Sequence, residues 1–120
     1  MTAFTEACGE AMRELARDPR VIFLGQNVLY PGHVVYDSMD GIPDDRKIEL
    51  PVFENTQMGI STGLALAGFV PVTIFPRVDF LLLAMDQLVN HLDKLEVMSQ
   101  GQFRPKVIIR TMLGATHPLD

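Results

Sequence analysis

Two uninterrupted apolar runs, VIFLG (Val21–Gly25) and VPVTIF (Val70–Phe75), constrain the fold more than any other feature of the chain. Alternating apolar and polar residues mark a strand with one wet face, whereas a run apolar throughout marks a strand covered on both faces. Strands of that kind belong to parallel sheets lying between helices. KVIIRT (106–111) and the shorter RKIEL (46–50) complete a set of four candidates. The segments between them have helical spacing. Phe4, Ala7, Cys8, Ala11, Met12 and Leu15 share one face of a helix over 4–17, and RDP stops it because a residue before proline resists helical geometry. A second helix follows Pro51 and ends at Gly68, a favourable C-cap. Asp79 is placed to cap a third, through Met98, with Leu82, Met85, Leu88, Val89, Leu92 and Leu95 as its apolar stripe. This alternation predicts an α/β fold, a parallel sheet flanked by helices in one domain over residues 1–120.

Ligands of open parallel sheets bind at the carboxyl ends of the strands. That rim comprises residues 25–28, the start of the second helix, residues 75–80 and the tail after Arg110. The stretch QNVLYPGHVVYDSMDGIPDD (26–45) is rich in turn formers and reads as a long connection, a length that is usually functional in a compact domain.

Several function classes are disfavoured. The net charge is −5 and the ten Lys and Arg are scattered, which argues against a nucleic-acid or anionic-membrane surface. No apolar run approaches the roughly 20 residues of a membrane span. Cys8 is the only cysteine, and the N-terminus lacks a signal-like apolar stretch, so a cytoplasmic setting is expected. His33, His91 and His117 form no metal pattern, and Asp37, Asp40, Asp44 and Asp45 lack calcium-loop spacing, so no metal site is expected in this chain.

The stretch PVFENTQMGISTGLALAGF carries the candidate chemistry. It opens its helix on Glu54 and holds Gly59 and Gly63 four apart, although a helical glycine costs about 1 kcal/mol against alanine. Taken alone, Glu54 is either a helix-start carboxylate favoured by the dipole or a catalytic group. The paired glycines serve close packing within the chain or against a partner.

Glutamate, four residues, glycine, an apolar residue, two residues and glycine again: ENTQMGISTGL resembles the motif of the pyrimidine-binding domain of thiamine diphosphate enzymes. The flanking ARDPRVIFLGQNV, GLALAGFVPVTIF, VDFLLLAMDQLVNHLDKLEVMSQGQF and KVIIR are similar, in order, to segments of one subunit type. That type is the beta subunit of the thiamine-dependent component of 2-oxo acid dehydrogenase complexes. Agreement is weak only across residues 28–48.

The resemblance implies that Glu54 hydrogen-bonds the cofactor's aminopyrimidine ring, holding a proton so that the ring can act as the base that activates the thiazolium carbon. It implies that Phe80 lies against that ring, that Gln26 contributes to cofactor binding, and that Gly59 and Gly63 pack on a neighbouring cofactor-binding domain. Thiamine diphosphate would be shared with an alpha subunit in an α₂β₂ assembly, the alpha subunit holding magnesium, since no GDG diphosphate motif occurs here. A small 2-oxo acid would be the substrate and a lipoyl-bearing acyltransferase a further partner. Two departures stand out. Gly25-Gln26-Asn27 replaces an acidic family pattern, and Arg77 stands where small or amide residues are usual, facing either a substrate carboxylate or solvent. His117 lies short of the family's histidine spacing. Family subunits continue into a further domain, so the chain is expected to be the N-terminal part of one. The rival readings are the small half of a split transketolase-like enzyme and a non-catalytic assembly subunit of the same fold.

Overall fold

The computed structural model describes residues 2–114; His117 lies outside the described residues. Helix α1 (Ala3–Leu15) begins at Thr2, whose hydroxyl accepts from the Thr5 amide at 3.3 Å. Strands β1 (Val21–Gly25), β2 (Lys47–Glu49), β3 (Val70–Phe75) and β4 (Ile108–Thr111) form one wholly parallel sheet in the order β2-β1-β3-β4. Phe23 pairs with Lys47 on one side and Val72 on the other, and Val72 pairs in turn with Ile108. The predicted sheet and its four strands are therefore present. Gly25 has φ +151°, and a Cβ there would run into the Ile74 carbonyl oxygen, so strand closure at this point requires glycine.

One sheet face packs against α1 and, contrary to expectation, against the 26–45 connection. That segment contains helix α2 (Val34–Asp37) and a single 3₁₀ turn (Asp44–Arg46). Its Val28, Val35, Met39 and Ile42 are buried with Met12, Val21, Phe23, Val72 and Ile74 in one core. Val35, Met39 and Ile42 follow one another at helical spacing, but the turn formers around them hide that signal, and with Val28 they help to cover this sheet face. Asp37, Asp40, Asp44 and Asp45 are exposed, as a solvated connection requires. The expected stripe of α1 is also corrected: Phe4, 79% exposed, and Ala7 and Ala11 face solvent, and the helix buries Gly9 and Met12 instead, with Leu15 half-buried.

Arg46 ties this layer together. Its guanidinium donates to the carbonyls of Val21, Ala16 and Asp18, with distances of 2.6–3.3 Å, closing the turn between α1 and β1.

The opposite face is covered by α3 (Glu54–Leu66) and the segment after β3. The expected continuous helix over 79–98 is broken. It starts as α4 (Val78–Leu81), tightens into a 3₁₀ turn (Leu82–Ala84), widens into a π-helical stretch (Asp86–Leu92) and ends as α5 (Leu95–Met98). Asp79 sits in the first turn, and the position before the helix is Arg77, which makes no side-chain capping bond. The changes of pitch rotate the stripe, because each turn type advances the helix face by a different angle. Leu81, Ala84, Leu88 and Leu92 pack inward with Met58 and Phe75, while Leu82 and Val89 are exposed by 66% and 47%. Among the described residues no helix is long and apolar enough to cross a membrane.

Candidate functional site

The carboxyl ends of β1 and β3, the head of α3 and the residues following β4 enclose a cleft of about 600 Å³. Gln26, Glu54, Arg77 and Phe80 all line it, although they come from three separate elements and their connections. Asn27, His33 and Val52 complete much of the remaining wall. The rim expected from the strand runs is the rim observed.

Glu54 is the first residue of α3 and is 8% exposed. The residue before it, Phe53, has extended φ of −157° and offers no capping side chain, so the helix's first amides and the Glu54 carboxyl share the head of the helix. Among the described residues the carboxyl has no hydrogen-bond partner. A buried carboxyl group in that condition retains its full capacity to bond a ligand.

Phe80 lies in the first turn of α4, half-buried, and the Arg77 guanidinium sits 6.0 Å from its ring centroid. That contact is a cation–π interaction, and it holds both side chains at the mouth of the cleft. Arg77 is thereby a cleft residue, which leaves it facing neither solvent alone nor a distant surface.

Gln26 is buried, and its amide nitrogen is committed to the protein. It donates to the Pro51 carbonyl at 3.0 Å and to Gln57 Oε1 at 2.8 Å. Gln57 in turn donates to Thr73 Oγ1 at 2.9 Å and to the Ile74 carbonyl at 3.0 Å. This amide chain ties β1, α3 and β3 beneath the cleft and leaves Gln26 only its carbonyl oxygen for a ligand. The next residues are held by Glu49, whose carboxylate accepts from the backbone N–H groups of Asn27, Val28 and Leu29 at 2.7, 2.8 and 3.0 Å. Asn27 has φ +60°, the left-handed geometry that turns successive amides toward one acceptor.

Neither Gln57 nor Glu49 stands out in the sequence; each makes its contacts with residues 16 or more positions away. His33 was legible only as a lone histidine. In the fold its Nδ1 accepts from the Val35 amide at 3.1 Å, so the neutral ring carries its proton on Nε2, and the residue lines the cleft. The two glycines of α3 do not enter the cleft. A Cβ at Gly59 would meet the Gln87 side chain at 3.3 Å, whereas one at Gly63 would meet open space. His91 is exposed and lies 3.7 Å from Asp86. Among the described residues no group of three or more His, Cys, Asp or Glu is placed to hold a metal.

Comparison with known proteins gives this geometry a family. The sequence profile described as transketolase, pyrimidine binding domain, matches residues 1–117. The chain is 35% identical to the chloroplastic pyruvate dehydrogenase E1 component subunit beta-3 of Arabidopsis thaliana, over 93% of this chain and 30% of that protein. It is 34% identical to the pyruvate dehydrogenase E1 component subunit beta of Rickettsia bellii, covering 92% of this chain and 35% of that one. The 3-methyl-2-oxobutanoate dehydrogenase subunit beta of Mycobacterium tuberculosis is 36% identical over 80% of this chain and 28% of its own length. The chain thus spans about a third of the length of these relatives. The ordered strands, the glutamate-led helix and the profile match agree: the chain belongs to the transketolase pyrimidine-binding domain family and is similar to the beta subunits of 2-oxo acid dehydrogenases.

Proposed function

We propose that the cleft holds the aminopyrimidine ring of thiamine diphosphate and that this chain is the cofactor-activating part of a 2-oxo acid dehydrogenase beta subunit. Glu54 is the observation that carries the reading: a buried carboxyl group on the cleft wall with no described partner. The residues present fit such a ring. It is flat with an apolar face, which Phe80 matches, and its edge nitrogens require one donor and one acceptor. Glu54, when protonated, donates to a ring nitrogen. The Gln26 carbonyl oxygen accepts from an amino group, its own nitrogen being engaged below. Met112 and Val52 supply further apolar wall.

When bound, thiamine diphosphate would supply a carbon nucleophile and an electron sink for decarboxylation of a 2-oxo acid. Glu54 would hydrogen-bond an edge nitrogen of the ring, and Phe80 would fix the ring plane. The diphosphate and its magnesium would be held by a partner alpha subunit in an α₂β₂ arrangement, as the family resemblance implies. The substrate is a small 2-oxo acid, and the acyl product passes to a lipoyl carrier.

The test is Glu54→Gln in the complete assembly. The glutamine keeps shape and removes the titratable proton, so turnover is expected to fall about 10²–10⁴-fold while assembly is spared. Near-normal turnover of that variant would sink the assignment.

A further inference from the structure

Behind the cleft, between α1 and the end of β4, lies a second cavity of about 320 Å³. Thr5 and Cys8 line it from α1 and Arg110 from β4, and it shares Val34, Met112 and Leu113 with the cleft wall. Arg110 is the unusual member. Its Nη1 is buried and has no hydrogen-bond partner among the described residues. Burial pulls the guanidinium below its ordinary pKa. Other arginines of the chain are compensated: Arg46 holds three carbonyls, Arg20 is paired with Asp18, and Arg104 with Glu96. Arg110 is half-buried, and an arginine does not escape burial by losing its proton, so a guanidinium nitrogen buried without a partner is costly unless an acceptor such as an anion completes it.

We propose that this cavity is a binding site for a small aliphatic monocarboxylate, its carboxylate on Arg110 and its hydrocarbon chain against Val34 and Met112. One buried cation matches one negative charge. A dianion such as phosphate would leave charge unmatched, and the apolar walls favour a hydrocarbon body over a polar one. The volume suits a molecule of a few carbons. Glu54 does not line this cavity, although Val34, Met112 and Leu113 border both it and the cleft, and the proposal does not depend on the cofactor reading.

Butyrate is the probe, and the assembled full-length subunit with its partner is the sample. Binding is followed by calorimetry and by the rate at which iodoacetamide modifies Cys8, read by peptide mapping, since Cys8 lines the same cavity and is partly exposed. Butyrate is expected to slow Cys8 modification and 1-butanol to leave it unchanged, a discrimination that needs no variant. Arg110→Met should weaken butyrate about 10–100-fold, the range for a lost hydrogen bond to a charged group. Arg110→Lys should bind in between, and Glu54→Gln should leave protection of Cys8 intact. The proposal is overturned if butyrate and 1-butanol protect alike, if neither binds, or if an acidic side chain of the assembly already occupies Arg110.

Discussion

The side-chain nitrogen of Gln26 lies 2.8 Å from Oε1 of Gln57, joining the end of β1 to the first turn of α3 directly below the candidate cleft. With the bonds from Gln57 to Thr73 and Ile74, this makes a buried polar relay through the middle of the sheet edge. Polar groups so buried are strongly specifying, because every alternative packing leaves some of them unpaired.

Gln57→Leu is therefore expected to destabilise the protein by about 2–4 kcal/mol, since it strands a Gln26 donor and the Ile74 carbonyl in a dry interior. Urea denaturation measures this. A midpoint equal to that of the unaltered protein would mean that the relay contributes nothing to folding.

Glu49→Ala removes the acceptor of three consecutive amides. The amides of residues 27–29 should then exchange with solvent faster, with about 1–3 kcal/mol of global stability lost. Hydrogen-exchange mass spectrometry resolves the loop from the rest. Unchanged protection there would show that the left-handed turn at Asn27 stands without its carboxylate.

The glycines of α3 separate internal packing from partner packing. Gly63→Ala meets open space within the chain and should stabilise the unassembled subunit by about 1 kcal/mol through helix propensity. If the exposed face at Gly63 receives the cofactor-sharing partner, the same substitution should weaken association in sedimentation experiments. Gly59→Ala presses on Gln87, a long side chain able to shift, so its effect on the subunit should be small in either direction. Normal assembly of the Gly63 variant would remove that residue from the interface.

Asp18 gives a pH signature. Arg20 donates to both of its carboxylate oxygens, with a shortest contact of 2.8 Å, and holds its pKa at about 2 against an ordinary 3.8. A depressed folded pKa means that the unfolded state binds the proton first as pH falls. The stabilising contribution is thus complete above pH 3.8 and disappears as pH falls through about 2. In an NMR titration the Asp18 carboxyl midpoint should return toward 3.8 in Arg20→Gln, and added salt should do part of the same because the pair is exposed. A midpoint that ignores both changes would exclude the Arg20 pair as the cause.

Much of the fold was legible because burial leaves a local periodic trace. VIFLG and VPVTIF each announce a strand covered on both faces, and β3 is buried at five of its six positions. Glu54 was legible for a related reason: a charged residue at the head of an otherwise small and apolar helix conflicts with its surroundings. Where turn formers interrupt the trace, or several stripes fit, the reading failed. Val28, Val35, Met39 and Ile42 join the core from a segment whose composition reads as a surface connection. In the segment after β3, the leucines are so dense that several stripes fit, and only packing against Met58 and Phe75 selects Leu81, Ala84, Leu88 and Leu92.

The sequence by itself determined the strands, the parallel α/β class and the glutamate at the rim, because each is set by residues within one or two turns of chain. Only the tertiary structure decided which groups share the cleft. The order β2-β1-β3-β4 brings Gln26, Glu54 and Phe80 to one wall, and Gln57 and Glu49 lock residues 26–29 beneath and beside it. The same order leaves one Arg110 nitrogen buried without a partner among the described residues. Hydrogen bonds and charge compensation across such separations depend on distance and direction in space, which local periodicity does not encode.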